Sequence, residues 1–215
     1  MIMFDRINKV DSDVLEQIQR YFGEIKELTE RQKEDRVNLS INIVEVWLYI
    51  QTLVDVMLEY DAVDQRFIKE QLVRQFGDAV SQFVDLDSYL EDMIDDVAED
   101  FVDPDEPKDE DAWLLKFEPA GLLGIALDSS QAVLNYKDYQ EAIKQGMTYK
   151  TWKAFIDKRT RKDHEKINGK TIPIREYFLV GDVMMRFPHD WEYAGNSKNA
   201  LRQLINCRCL TVYHK

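Results

Sequence analysis

The hydrophobic pattern of this chain changes period at Gly146. Upstream, apolar residues recur every three or four positions, the spacing of one face of a helix. Downstream they fall into short runs separated by turn residues, the mark of strands. That switch confines the chain to the α+β class. It predicts an N-terminal all-α helical bundle followed by a small C-terminal α+β module with a short antiparallel sheet.

The upstream part divides into helices. Over 12–35, Val14, Ile18, Phe22, Ile25 and Leu28 share one face, and Ser12 is a candidate N-cap. A second helix covers about 38–60 and is apolar on most of its circumference, which places it centrally in a bundle. A third is expected at 63–77, ending at Gly77, and a fourth at 79–101. The stretch "DVAEDFVDPDEPKDEDAW" then breaks the pattern with two prolines and a run of carboxylates, as in a solvated linker. Helices resume afterwards, with Pro119 suited to a first helical turn and Gly146 to a helix end. The expected organisation is an acidic helical region 1–103, an acidic linker 104–111, connecting helices 112–146 and the α+β module 147–215.

Charge follows the same division. Residues 1–115 carry 30 Asp/Glu against 11 Lys/Arg, a balance of −19, while residues 116–215 carry 11 against 17, a balance of +6. Such asymmetry points to different partners for the two parts. No uninterrupted apolar run approaches the length of a membrane span, so no membrane partner is expected. "MIMFDRINKVDSD" lacks the basic and apolar segments of a secretory signal, so a reducing compartment is expected.

The module concentrates the polar chemistry. Strands are expected in "MTYKTWKAFI", "NGKTIPI", "DVMMRFP" and "CRCLTVYHK", a turn at Asn168-Gly169, and a short helix in "NSKNALRQLIN" capped by Asn196 or Ser197. A helix over 157–166 would place Asp157, Arg161 and His164 on one face and pair Asp157 with Arg161. That trio could orient a histidine for acid–base work, or simply tie a turn to its neighbours. Lys150, Lys153, Lys158, Arg159, Lys162, Lys166 and Lys170 lie among aromatics, a pattern that suits a nucleic-acid backbone and an acidic protein surface equally well.

Both cysteines of the chain, Cys207 and Cys209, sit two positions apart near its end. On a strand their Cα atoms would be roughly 6.5 Å apart with parallel Cβ vectors, near the limit for a disulfide. Two readings remain. They fill the buried face of the last strand, or they join His164 and one further group, His189 or Asp190, as tetrahedral zinc ligands.

The ordered set Trp152, Asp157, Arg159-Thr160-Arg161, His164, Gly169, Phe178, Gly181, Pro188 and Asn206-Cys207-Arg208-Cys209 resembles the C-terminal domain of phage head morphogenesis proteins, the Mu F-like minor capsid family. The preceding helix and its closing glycine resemble the family's lead-in, so the similarity covers roughly 118–215. The resemblance implies a minor capsid protein of a tailed phage or prophage, acting in head assembly, packaging or ejection. It implies contact with the portal or capsid interior, non-specific contact with double-stranded DNA, and residence in the virion or procapsid after assembly in the host cytoplasm. It implies a protein without enzymatic activity and without a required cofactor. The alternative is a nuclease or toxin-like hydrolase using Asp157, Arg161 and His164.

Overall fold

The computed structural model describes residues 10–60, 62–102, 119–192 and 198–215, without the side chains of 119, 120, 198 and 199. The linker expected at 104–111 and the caps expected at Asn196 or Ser197 lie outside the described residues. The described chain contains α1 (Ser12–Gly23), α2 (Glu30–Glu59), α3 (Gln65–Ser81), α4 (Ser88–Phe101), α5 (Pro119–Lys144), β1 (Tyr149–Lys153), α6 (Lys162–Ile167), β2 (Thr171–Pro173), β3 (Phe178–Val180), β4 (Val183–Met185), α7 (Lys198–Leu204) and β5 (Leu210–His214). Helices come first and a small antiparallel sheet comes last, so the fold is α+β as the period change predicts.

The chain forms two compact units. The first takes residues up to Tyr21 with Val37–Ala126, and the second takes Phe22–Arg36 with Leu127–Lys215.

Helix boundaries in the first part differ from the periodicity reading, and each difference has a local cause. The single helix expected over 12–35 is two. Asp11, not Ser12, caps α1, its carboxylate accepting the Asp13 N–H at 2.8 Å. The chain then breaks after Gly23, and α2 starts afresh at a capping box. There Thr29 Oγ1 accepts the Gln32 N–H at 3.3 Å and Gln32 Oε1 accepts the Thr29 N–H at 3.1 Å. Ile25 and Leu28 are buried all the same, so their helical spacing persists across a non-helical turn. Gly77 does not end α3. It is buried within the helix, 3.8 Å from Leu86 if given a Cβ, and the helix runs on to Ser81. The next helix therefore starts later than expected, where Asp87 accepts the Leu90 N–H at 3.2 Å.

Within the first unit, Trp47 meets Phe101 edge to face at 4.5 Å, and Ile43, Ile50, Ile68, Leu72 and Phe76 are buried as well. By length and composition α2 is apolar enough to cross a membrane, with a third of its most apolar window buried inside the protein.

In the second unit the sheet order is β2–β1–β5, antiparallel throughout, with Trp152 opposite Thr211 and Lys150 opposite both Tyr213 and Ile172. β3 and β4 form a separate hairpin turning at Gly181, whose φ of 64° needs a glycine. Asn168 and Gly169 turn the chain from α6 back onto β1, where the Gly169 N–H donates to Trp152 O at 2.8 Å and Asn168 Oδ1 accepts from Ala154 N at 3.0 Å. Trp152, Phe178, Val180, Met185, Leu204, Cys207 and Cys209 share one hydrophobic cluster.

Candidate functional site

The helix expected over 157–166 begins only at Lys162, because the residues before it satisfy one another. Asp157 Oδ1 accepts the Arg159 N–H at 2.7 Å, while Thr160 Oγ1 accepts the Asp157 N–H at 2.7 Å and donates to Phe155 O at 2.8 Å. This side-chain-to-backbone turn competes with helix formation. The expected Asp157–Arg161 pair is therefore not made. Asp157 instead holds Arg208 and, at 3.3 Å, Arg159. Burial pushes the Asp157 carboxyl up, but the Arg159 N–H and the charges of Arg208 and Arg159 outweigh it and hold it below its ordinary value. The Arg161 guanidinium donates to Ile205 O.

Arg208 is the hub of this corner. Its guanidinium stacks 3.7 Å over the Phe155 ring and also binds Glu24 at 2.9 Å. Sequence alone gives Arg208 no site role, since no local spacing pairs it with Asp157.

The cysteines do not lie on a strand. They occupy the extended segment just ahead of β5, both buried, neither in a disulfide. Their sulfurs meet His164, which α6 presents from the other side. His164 Nδ1 is 3.2 Å from Cys209 Sγ and 3.5 Å from Cys207 Sγ. His164 Nε2 faces Gln203 Oε1 at 2.9 Å, and the Gln203 amide nitrogen donates to Asp163 at 3.3 Å. Gly181 underlies this chain of contacts: a Cβ there would come within 2.9 Å of Gln203 Nε2 and 3.0 Å of an Asp163 oxygen. Trp152 packs edge-on against the His164 ring at 5.8 Å. Burial, then the neighbouring Cys209, push the Cys207 thiol up to about 11. A hydrogen bond from Cys207 and the Phe155 N–H lower the Cys209 thiol despite its burial.

A second polar knot surrounds β1. Asp190 is fully buried and accepts from Arg186 at its backbone N–H (2.8 Å), Nε (2.9 Å) and Nη2 (2.9 Å). Lys150 is buried as well, its Nζ donating to Arg186 O at 2.7 Å, and burial lowers its pKa to about 8. The expectation that Lys150 contacts DNA is corrected by that burial. Asp190 is committed to Arg186 and is not placed with the cysteines. Lys158, Arg159, Lys162, Lys166 and Lys170 are exposed and Lys153 is half-buried.

Asp128 on α5 accepts the Asn206 N–H with both oxygens, at 2.8 and 2.9 Å, and burial raises its pKa to about 7 against the opposing effects of Asn206 and Arg161. Asn206 adopts a left-handed φ of 56° to make that contact. On the same helix Gln131, Asn135 and Asp138 surround Arg36, at 2.8, 3.0 and 2.9 Å. Asn135 also donates to Pro188 O at 3.1 Å.

An open depression of about 440 Å³ is lined by Arg161, Lys162, Asp163, Asp182, Arg202 and Gln203. Neither Asp157 nor His164 reaches it, so the three residues of the hydrolase reading do not converge on a common open site.

Residues 120–212 match the family model described as Phage Mu protein F like protein. This stretch is similar to the Mu F-like proteins. The chain is also similar to the NAD(+)–arginine ADP-ribosyltransferase EFV of Enterococcus faecalis, 32% identical over 84 residues, which are 39% of this chain and 16% of that protein. The match thus spans about one sixth of the relative's length. No solved structure matches the chain. Within the matched stretch, Trp152, Gly169, Cys207 and Cys209 lie in the core or at its turns, and Asp157, Thr160 and Asn206 fix the polypeptide around them.

Proposed function

We propose that this chain is a minor capsid protein serving head morphogenesis in a tailed phage or prophage, bound to the portal or the capsid interior and touching double-stranded DNA without sequence preference. The observation that carries the reading is the similarity to the Mu F-like proteins, with the signature residues engaged in holding turns and strands rather than grouped around an open cleft. The ADP-ribosyltransferase shares only a short stretch with the chain, and the reading assigns the chain no enzymatic activity.

DNA contact rests on the exposed bases Lys158, Arg159, Lys162, Lys166 and Lys170, with half-buried Lys153 at their margin. Phosphate contacts by such side chains release counterions, so binding weakens steeply with salt.

Two measurements test the reading. Co-expression with the portal protein of the same phage should yield a portal ring carrying this chain; a ring and capsid shell both free of it would sink the reading. Titration of full-length protein onto duplex DNA should show affinity that falls with salt. Replacing Lys158, Lys162 and Lys166 by Glu should flatten that slope, by about 0.9 for each phosphate no longer neutralised. A slope unchanged by the triple replacement would remove DNA from the partners.

A further inference from the structure

We propose that His164, Cys207 and Cys209 hold one zinc ion, with His189 completing a tetrahedral two-sulfur, two-nitrogen site. The inference stands independently of any role in a phage head.

The ligand atoms of His164, Cys207 and Cys209 lie within 4.8 Å of one another, all three buried. Zinc–sulfur bonds of about 2.3 Å and zinc–nitrogen bonds of about 2.0–2.1 Å imply a nitrogen–sulfur edge of about 3.6 Å in a tetrahedron. The two edges here are 3.2 and 3.5 Å, so a few tenths of an ångström of expansion admits the ion.

The second layer has the form a zinc histidine needs. Gln203 gives its amide hydrogens to Asp163, so its carbonyl oxygen faces His164 and requires a proton on Nε2. That leaves the Nδ1 lone pair directed at the two sulfurs. The Cys209 N–H donates to Cys207 Sγ at 3.4 Å, so the backbone already orients that sulfur.

His189 supplies the second, independent observation. It is 1% exposed. Its Nε2 meets the Cys207 carbonyl at 2.7 Å, an acceptor that fixes the proton on Nε2. Its Nδ1 is then a bare lone pair, buried and without a hydrogen-bond partner. A left-handed φ of 64°, costly for a non-glycine residue, holds it there. His189 is outside the 4.8 Å trio, so its Nδ1 must move toward the ion when zinc binds.

Chemistry selects the metal. Two thiolates and two imidazoles in tetrahedral array suit zinc. Binding converts two thiols and Zn²⁺ into a neutral complex and releases two protons to solvent, so no net charge is buried. Four protein ligands leave no open position, which makes the site structural. It would cross-link α6, the loop after β4 and the segment entering β5.

The test uses full-length protein produced with zinc and purified without chelator. Elemental analysis should find one zinc per chain. Cobalt substitution should give the strong visible absorption of a tetrahedral thiolate site, and both thiols should resist a thiol reagent until chelator is added. His189→Ala should keep the sulfur-to-cobalt charge-transfer band but weaken and shift the visible bands. Gln203→Ala should lower zinc affinity about 10- to 100-fold. Folded wild-type protein that carries no zinc and gives no cobalt spectrum overturns the proposal. So does zinc retained at full stoichiometry when Cys207 and Cys209 are both Ser. Cobalt bands unchanged in His189→Ala overturn the fourth ligand.

Discussion

Among the described residues of the first unit, Ser40 is the one buried polar side chain, whereas the second unit buries Arg36, Lys150, His164, His189, Asp190 and Arg208 among others. The first unit is built on apolar faces and short helix caps, such as Asp64 on α3 and Asp87 on α4. The second is built on hydrogen bonds between residues far apart in sequence. A buried polar group stabilises nothing unless its partner is in place, and removing that partner leaves the full desolvation cost behind. The two units should therefore respond very differently to equivalent substitutions.

Arg36 offers the largest expected effect. It is 1% exposed and satisfied by Gln131, Asn135 and Asp138. Arg36→Ala leaves the Asp138 carboxylate with the Gln32 amide at 3.2 Å, takes the guanidinium from the buried Gln131 and Asn135 carbonyls, and should cost about 3–5 kcal/mol in a denaturant titration. Adding Asp138→Leu to Arg36→Met should recover only the part due to the unpaired carboxylate, because the buried Gln131 and Asn135 carbonyls still lack the guanidinium. A loss below about 1 kcal/mol for Arg36→Ala would mean that the second unit does not depend on its buried network.

The next effect is in pH. Asp128 has a folded pKa of about 7, above its unfolded value of 3.8. The folded state then binds the extra proton between those values, so this carboxyl's contribution is full below about pH 4 and is lost as pH rises through 7. Asp128→Asn keeps an acceptor for the Asn206 N–H and removes the titration. Its stability should fall less than the wild type's between pH 5 and 8, with a gap of about 2 kcal/mol at pH 8 after allowing for solvent relaxation. Parallel profiles would show that Asp128 ionises freely.

Local rules expose much of the fold. The period change at Gly146, a helix start at Pro119, and the Asn168-Gly169 turn are all present where residue chemistry alone puts them. The long-range network is not legible in the same way. Gln131, Asn135 and Asp138 fall on one helix face at i, i+4 and i+7, but their partner Arg36 lies about a hundred positions upstream. Lys150 reads as a surface base because composition carries charge and not burial. His164 and the cysteines are legible as possible co-ligands, while the unpartnered Nδ1 of His189 exists only once the backbone is folded. The break after Gly23 escapes periodicity because Ile25 and Leu28 serve the core with or without a helix.

A smaller loss is expected from the first unit's caps. Asp87→Ala leaves the Leu90 N–H without its carboxylate and should cost about 1 kcal/mol. Asp87→Asn should restore most of it, since a cap needs an acceptor and not a charge. If Asn fails to rescue, the helix dipole rather than the hydrogen bond sets the cost.

The smallest effect comes from a pair that resembles Arg36–Asp138 in distance alone. Lys69 Nζ lies 2.9 Å from Glu99, the same separation as Arg36 from Asp138, and 3.3 Å from Asp95. Its partners, however, are 53–59% exposed, against 19% for Asp138. Water already solvates these carboxylates, so Lys69→Met strands nothing and should change stability by about 0.5 kcal/mol or less. What loss there is should come from repulsion along α4, where Asp92, Asp95, Asp96, Glu99 and Asp100 crowd one another and, with burial as the larger cause, raise the Asp96 carboxyl. Screening over about 3 Å at 1 M salt should erase the difference between Lys69→Met and wild type while leaving the Arg36→Ala deficit intact. A Lys69→Met loss as large as that of Arg36→Ala, or one that persists in high salt, would mean that distance and not burial decides the strength of these pairs.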